Sequence, residues 1–497
     1  MTHKLLFSLL SSAIIISSCS RQPEIIQDSY HISYTTENRK LVKVDASIWL
    51  EDSLLVMSDE GPVPEKWADY VKNISVTDGN GKSVQTEKIN NGGWKLQTSI
   101  HQQVKVSYEI SLTHEESEWP GGIDGVAFVR DWGTFQTGRS LFVINGKSKK
   151  DTRVSFSLPE TWKVSTPWKT DSTAANSYSV SDNTDLTESL LFAGTHQEFL
   201  LKREQFEVLF VLGGNGVADQ KDQFFKHAES VLNYYVRMMG GLPVPAKGKK
   251  LEKIMVMINA DSISDGEVIG NHINILLNPN GNPQDNLISW FIFVHEFFHL
   301  WNGKTLNVAS TREDWFKEGV TNYYSIKALN QIGMLNDAAT FQVMNFLFYN
   351  RYIHDSEIGK LSIRDAAEPL IKDKHWGLVY GGGLFTGISM DFLIRSQTSN
   401  TKSLDDLMRS FYTTYAGTDK YYTTEDVLKK INELSGTDQT GFFNKHVNGS
   451  EIIPIEKTLP SAGLKAEIKN ENLLISRKPN PNDMEKRIFE GFLGKIE

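Results

Sequence analysis

At 497 residues the chain is longer than one compact core organises, so two to four domains are expected. Its 39% hydrophobic and 11% aromatic content excludes a disordered chain, and a formal net charge of −9 gives no support for nucleic-acid binding. A single cysteine excludes both an internal disulfide and a thiolate zinc site.

The chain opens as a targeting segment. Lys4 supplies a short positive region, and Leu5 to Ile16 form an apolar stretch of signal-peptide length, too short to span a bilayer. Ile16-Ser17-Ser18-Cys19 then places small residues before a cysteine, as at a bacterial lipoprotein cleavage site. The pattern predicts a signal peptide over 1–18, lipidation of Cys19 and a tether over 19–27. The expected location is the bacterial cell envelope, with a lipid anchor in a membrane and the protein facing the periplasm or the cell surface. No later segment is expected to be long and apolar enough to cross a bilayer.

Residues 28–200 predict an N-terminal all-β domain, a sandwich or a barrel. Strand-like runs recur at Tyr30–Tyr34, Val42–Leu50, Val104–Leu112 and Leu141–Ile144. Turn chemistry such as Asp78-Gly79-Asn80-Gly81 separates them. His31, His101, His114 and His196 are isolated here and are expected to be surface or strand residues.

Residues 201–330 predict a mixed α/β catalytic unit. Strands are expected at Phe206–Leu212, Ile254–Ile258 and Val268–Leu277, and an amphipathic helix at Gln220–Met239. The apolar run Ile288–Val294 leads into His295-Glu296-Phe297-Phe298-His299. On a helix, residues four apart leave the same face about one turn apart, so His295 and His299 suit two ligands of a tetrahedral zinc ion. Glu318, on a second predicted helix, can be the third ligand, leaving the fourth position for water. Glu296 beside the first histidine can reach that water as general base. One Zn2+ per chain is expected.

Beyond Glu318 the pattern is helical, near 315–331, 336–353, 382–397, 403–415 and 424–435. It predicts an α-helical domain over 331–465 and a short polar extension over 466–497.

These residues resemble the bacterial glycyl aminopeptidase family, gluzincin peptidases related to thermolysin that often carry a PDZ domain. The resemblance rests on His295 to Asn302, on Trp315 to Tyr324 with its Glu-Gly-Val-Thr-Asn-Tyr-Tyr core, and on Tyr380-Gly381-Gly382-Gly383 leading to Asp391. It is supported by Gly138-Arg139-Ser140-Leu141-Phe142 in the β-rich part. It implies a thermolysin-like catalytic domain. It also implies His295, His299 and Glu318 as ligands, Glu296 as base, and Tyr380 as the phenol that hydrogen-bonds the developing oxyanion. Asn322 shares a helix face with Glu318 and is placed to orient a ligand histidine, where relatives carry an acidic residue.

Three departures are expected to matter. The family's Gly-Leu-Glu-His segment, which holds the substrate's free α-amine, is matched only by Gly270-Asn271-His272, and Asn271 has no charge. Too few residues follow 465 for a PDZ domain, and the basic stretch after Trp-Asn is reduced to Gly303-Lys304-Thr305. The expected function is zinc-dependent, aminopeptidase-like hydrolysis of peptide bonds by a metal-activated water, with a peptide or protein as substrate and with exo- versus endo-action and oligomeric state open. The alternative is an inactive peptidase-fold lipoprotein that acts as a surface binding module. Hydrolysis of a non-peptide bond has no residue arguing for it.

Overall fold

Seven strands make the largest sheet of the N-terminal part, in a computed structural model that describes residues 27–494 apart from 62, 90–91, 120–121, 124, 147–150, 205, 246 and 248–252. Cys19, the signal segment and most of the tether lie outside the described residues. Alternation builds this sheet. Along Leu41–Trp49, Val42, Val44, Ala46 and Ile48 are buried, and each faces an apolar partner on Gln103–Ser111 (Ile110, Tyr108, Val106 and Val104). A period of two puts one face of both strands in the core. A four-stranded sheet and a three-stranded sheet complete the β-rich domain.

One expected strand is absent. Leu141–Ile144 is not a ladder strand: Gly138–Leu141 forms a helical turn, and Ile144 makes only an isolated bridge to Val56. Ser140 causes the switch, because its hydroxyl accepts from the Thr137 amide (3.3 Å) and donates to the Thr137 carbonyl (2.9 Å). Leu141, Phe142 and Val143 are buried in either conformation, so hydrophobicity does not distinguish the two.

The following unit is a five-stranded sheet. Its order is Gln197–Arg203, Phe206–Gly213, Lys253–Ala260, His272–Leu277, Asp265–Ile269. The helix Lys221–Met239 connects the parallel pair Phe206–Gly213 and Lys253–Ala260. The single strand expected over Val268–Leu277 is a hairpin instead. Gly270 turns it at φ +58°, and Asp265–Ile269 becomes the antiparallel edge strand. On one face the sheet meets the β-rich domain: Phe128, Phe135, Leu190 and Phe192 pack with Val211, Met255, Met257, Ile269 and Leu276. This places the β-rich domain against the edge-strand hairpin.

The other face carries the helices, and one apolar core runs from Phe199 to Phe492. The helix Pro283–Phe298 packs on the edge hairpin and on the helix Asp314–Gln331, which in turn packs on Gly383–Gln397. That last contact is backbone to backbone. A Cβ on Gly319 would lie 2.2 Å from the Gly383 carbonyl carbon, so only glycine lets the two helices meet there.

Contrary to expectation, one later segment is long and apolar enough to cross a bilayer. It is Gly377–Gln397, and its most apolar stretch is 89% buried, so it is occupied as a core helix. The C-terminal residues are also more ordered than a polar extension. A hairpin (Leu464–Lys469, Asn472–Arg477) precedes the helix Asp483–Phe492, which buries Ile488, Phe489 and Phe492.

Candidate active site

The two helices meet at their polar residues. The first helix closes at Phe298, and His299 sits on its last turn, bonded through its amide to the carbonyls of His295 and Glu296. Phe293, Val294, Phe297 and Phe298 bury the rest of that turn and hold it on the sheet. Asn302 then ties the end of this helix to the second one. Its amide donates to the Lys317 carbonyl (3.0 Å), and its oxygen accepts from the Tyr422 hydroxyl (3.2 Å).

Three donor atoms converge here. His295 Nε2 is 3.0 Å from His299 Nε2, and Glu318 Oε2 is 3.3 Å and 3.1 Å from them. The protons of both rings are accounted for on the other side. His295 Nδ1 is 2.8 Å from Asn322 Oδ1, and His299 Nδ1 is 2.9 Å from the Asn302 carbonyl. Asn322 is oriented in turn, because its Nδ2 donates to the Tyr380 carbonyl (3.3 Å). Both Nδ1 atoms therefore donate, and both Nε2 atoms present lone pairs. Two such lone pairs and a carboxylate oxygen, buried and facing one another, repel unless a cation lies between them. A tetrahedral zinc bonded at roughly 2.0–2.1 Å separates its donors by about 3.3 Å, close to the spacing seen.

Glu296 also lies in this cluster, but further off. Its Oε1 is 4.0 Å from His295 Nε2, whereas Glu318 is within 3.3 Å of both histidines, so Glu318 is the better third ligand. Burial pushes the Glu296 carboxyl up to about 7, with His295 opposing and the charges of Glu318 and Glu267 adding. A carboxylate so raised is a better base than an exposed one.

Tyr380 lies in the π-helical turn Gly377–Gly382. Its ring stacks on Trp376 at 4.7 Å and lies 6.2 Å from the His295 ring. Burial raises its hydroxyl pKa, so the group stays a neutral donor. Local widening of a helix at such a turn recurs at functional sites, and here the turn carries the tyrosine that lies beside His295.

The edge hairpin separates what the sequence joined. Gly270 packs against Glu188, whose carbonyl oxygen would lie 2.5 Å from an added Cβ. Asn271 and His272 line a cavity of ≈ 490 Å³ with Trp168, Asp185 and Lys253. His272 is buried and its Nδ1 accepts from the Met255 amide (3.1 Å), which is a structural role. Glu267, on the edge strand itself, is the acid of this hairpin whose charge adds to the rise of Glu296. Its carboxyl is pushed up by burial, with Arg139 pulling the other way from 3.6 Å. A Cβ on Gly125 would lie 2.1 Å from Glu267 Oε2, so the β-rich domain closes on this carboxylate. The Gly-Asn dipeptide is a hairpin signal, and it could have placed Glu267 on the edge strand.

The orienting bond to His295 is testable. Asn322→Ala is expected to weaken zinc affinity about 10–100-fold, and Asn322→Asp to retain or tighten it. Competition with a chromogenic chelator measures both, and an Asn322→Ala affinity equal to wild type would remove the orienting role.

Comparison with known proteins bears on this geometry. The model of the Peptidase M61 N-terminal domain matches residues 63–195, and that of the M61 glycyl aminopeptidase matches residues 290–368, which hold both histidines, Glu296 and Glu318. An aminopeptidase N family protein from Idiomarina loihiensis has a TM-score of 0.76 at 16% identity, over 89% of this chain and 79% of its own. An M1 zinc metallopeptidase mutant from Deinococcus radiodurans, bound to a Tyr-Ser-Ala substrate, has a TM-score of 0.51 at 11% identity, over 86% and 95%. At these identities the likeness establishes the fold. No curated protein matches the chain.

Proposed function

From a chain that resembles the M61 glycyl aminopeptidases in both its N-terminal and its ligand-bearing segments, we propose that it is a zinc-dependent peptidase with a thermolysin-like catalytic unit and aminopeptidase-like action. The observation that carries the reading is the convergence of His295 Nε2, His299 Nε2 and Glu318 Oε2 within 3.0–3.3 Å of one another, with Glu296 beside them.

His295, His299 and Glu318 would hold the ion. Zinc, when bound, would polarise the scissile carbonyl and acidify a water. Glu296 accepts the proton of the attacking water and passes it to the leaving amine. Tyr380 donates its hydroxyl hydrogen to the carbonyl oxygen as negative charge develops there. Glu267, whose charge reaches Glu296 from the edge strand, would when ionised be an acceptor for a substrate's free α-ammonium. That role returns the charge Asn271 lacks and supports exopeptidase action.

Matched peptides with free and N-acetylated termini test this reading. Cleavage is expected to disappear on chelation and return with added zinc. Acetylation is expected to cost about 10–100-fold in kcat/KM, the worth of a charge-assisted hydrogen bond, and Glu267→Gln to abolish the difference. Zinc-loaded protein that cleaves neither peptide would overturn the peptidase reading. Equal cleavage of both would overturn the exopeptidase one.

A further inference from the structure

A cation stands behind the third ligand. Lys372 Nζ is 2.9 Å from Glu318 Oε1 and 2.6 Å from Asp314 Oδ2. Glu318 thus divides its oxygens: Oε2 faces the two histidines, while Oε1 is bonded to the ammonium. The three side chains are enclosed, with Lys372 17%, Asp314 4% and Glu318 6% exposed. Lys317 adds a second, looser contact to Oε1 at 3.3 Å.

Lys372 also stands by Tyr380, with Nζ 5.4 Å from the ring centroid. Both residues come from one run of chain: the short turn Lys372–His375 leads through Trp376 into the turn Gly377–Gly382. The same run therefore delivers the ammonium behind the ligand and the phenol in front of it. An ammonium held in low dielectric keeps its field, because little water screens it.

Building on the zinc-peptidase reading, we propose that Lys372 is a positioning residue of the metal centre, which restrains Glu318 to bind through Oε2 alone and sets a fixed positive charge beside Tyr380. Two consequences follow. Glu318 Oε1 cannot swing in to fill the position meant for water. With Oε1 paired, the carboxylate is also held with Oε2 toward His295 and His299, so the three residues would be preset for the ion and zinc would bind more tightly.

The test compares Lys372→Met, which keeps the length and removes the charge, with Lys372→Arg, which keeps the charge. Both are made in the full chain and loaded with zinc. Lys372→Met is expected to weaken zinc binding about 10–100-fold by chelator competition and to lower kcat more than it raises KM. Lys372→Arg is expected to recover most of both. If Lys372→Met leaves Asp314 and Glu318 too poorly paired to fold, Lys372→Met with Asp314→Asn removes the stray charge and is expected to show the same losses. A folded Lys372→Met protein with wild-type zinc affinity and kcat overturns the inference, as does a Lys372→Arg protein no better than Lys372→Met. Wild-type protein that takes up no zinc or cleaves no peptide fails the peptidase reading itself, and the two failures are thereby distinguished.

Discussion

Glu296→Gln is expected to retain stoichiometric zinc and lose about 10²–10⁴-fold in kcat, the range for removing a positioned general base. The geometry separates the two effects. Glu296 stands 4.0 Å from His295 Nε2, outside the 3.0–3.3 Å cluster of His295, His299 and Glu318, so the amide leaves the ligands untouched. Glutamine is nearly isosteric and still fills the buried position, so the fold has no reason to change. Its amide, however, cannot accept the water's proton. Zinc content by mass spectrometry and turnover on a free-amine peptide are the two readings needed. Near wild-type turnover with zinc retained would show that another group takes the proton. Loss of zinc would show that Glu296 is itself a ligand.

Tyr380→Phe is expected to lose about 10²–10³ in kcat, roughly 3–4 kcal/mol of transition-state stabilisation, with KM little altered. The substitution isolates the hydroxyl, because the ring is held independently. Trp376 stacks on it at 4.7 Å with an interplanar angle of 3°, and the backbone carbonyl of residue 380 accepts from Asn322. Phenylalanine keeps both contacts. A hydroxyl that acts only on the developing oxyanion affects kcat, whereas one that binds the ground-state substrate affects KM. A rise in KM at constant kcat would therefore move Tyr380 from the oxyanion to substrate binding.

Local pattern carried much of the site. His295 and His299 are legible because an i, i+4 pair on an apolar helix shares one face, and that is a property of helix geometry alone. Asn322 is legible from its spacing to Glu318, and the structure gives it a specific bond to His295 Nδ1. The partner of His299 is not legible: it is a backbone carbonyl, that of Asn302, which any residue would supply. Leu141–Ile144 failed as a strand because one Ser140 hydroxyl decides a turn that hydrophobicity leaves undecided.

Long-range packing carried the rest. Glu267 lies far in sequence from Arg139 and Gly125, and it meets them only because the four-stranded sheet packs against the edge-strand hairpin. Lys372 lies 54 residues beyond Glu318, in a run with no periodic signal, and reaches it by way of a turn. Local pattern predicts a targeting segment and gives the β-rich start and the type and spacing of His295, His299 and Glu318. Those depend on composition and on periods of two and 3.6 residues, which are local. Packing alone brings Glu267 to Arg139 and Lys372 to Glu318. Both are meetings of distant segments, and the sequence carries no period for a distance between elements.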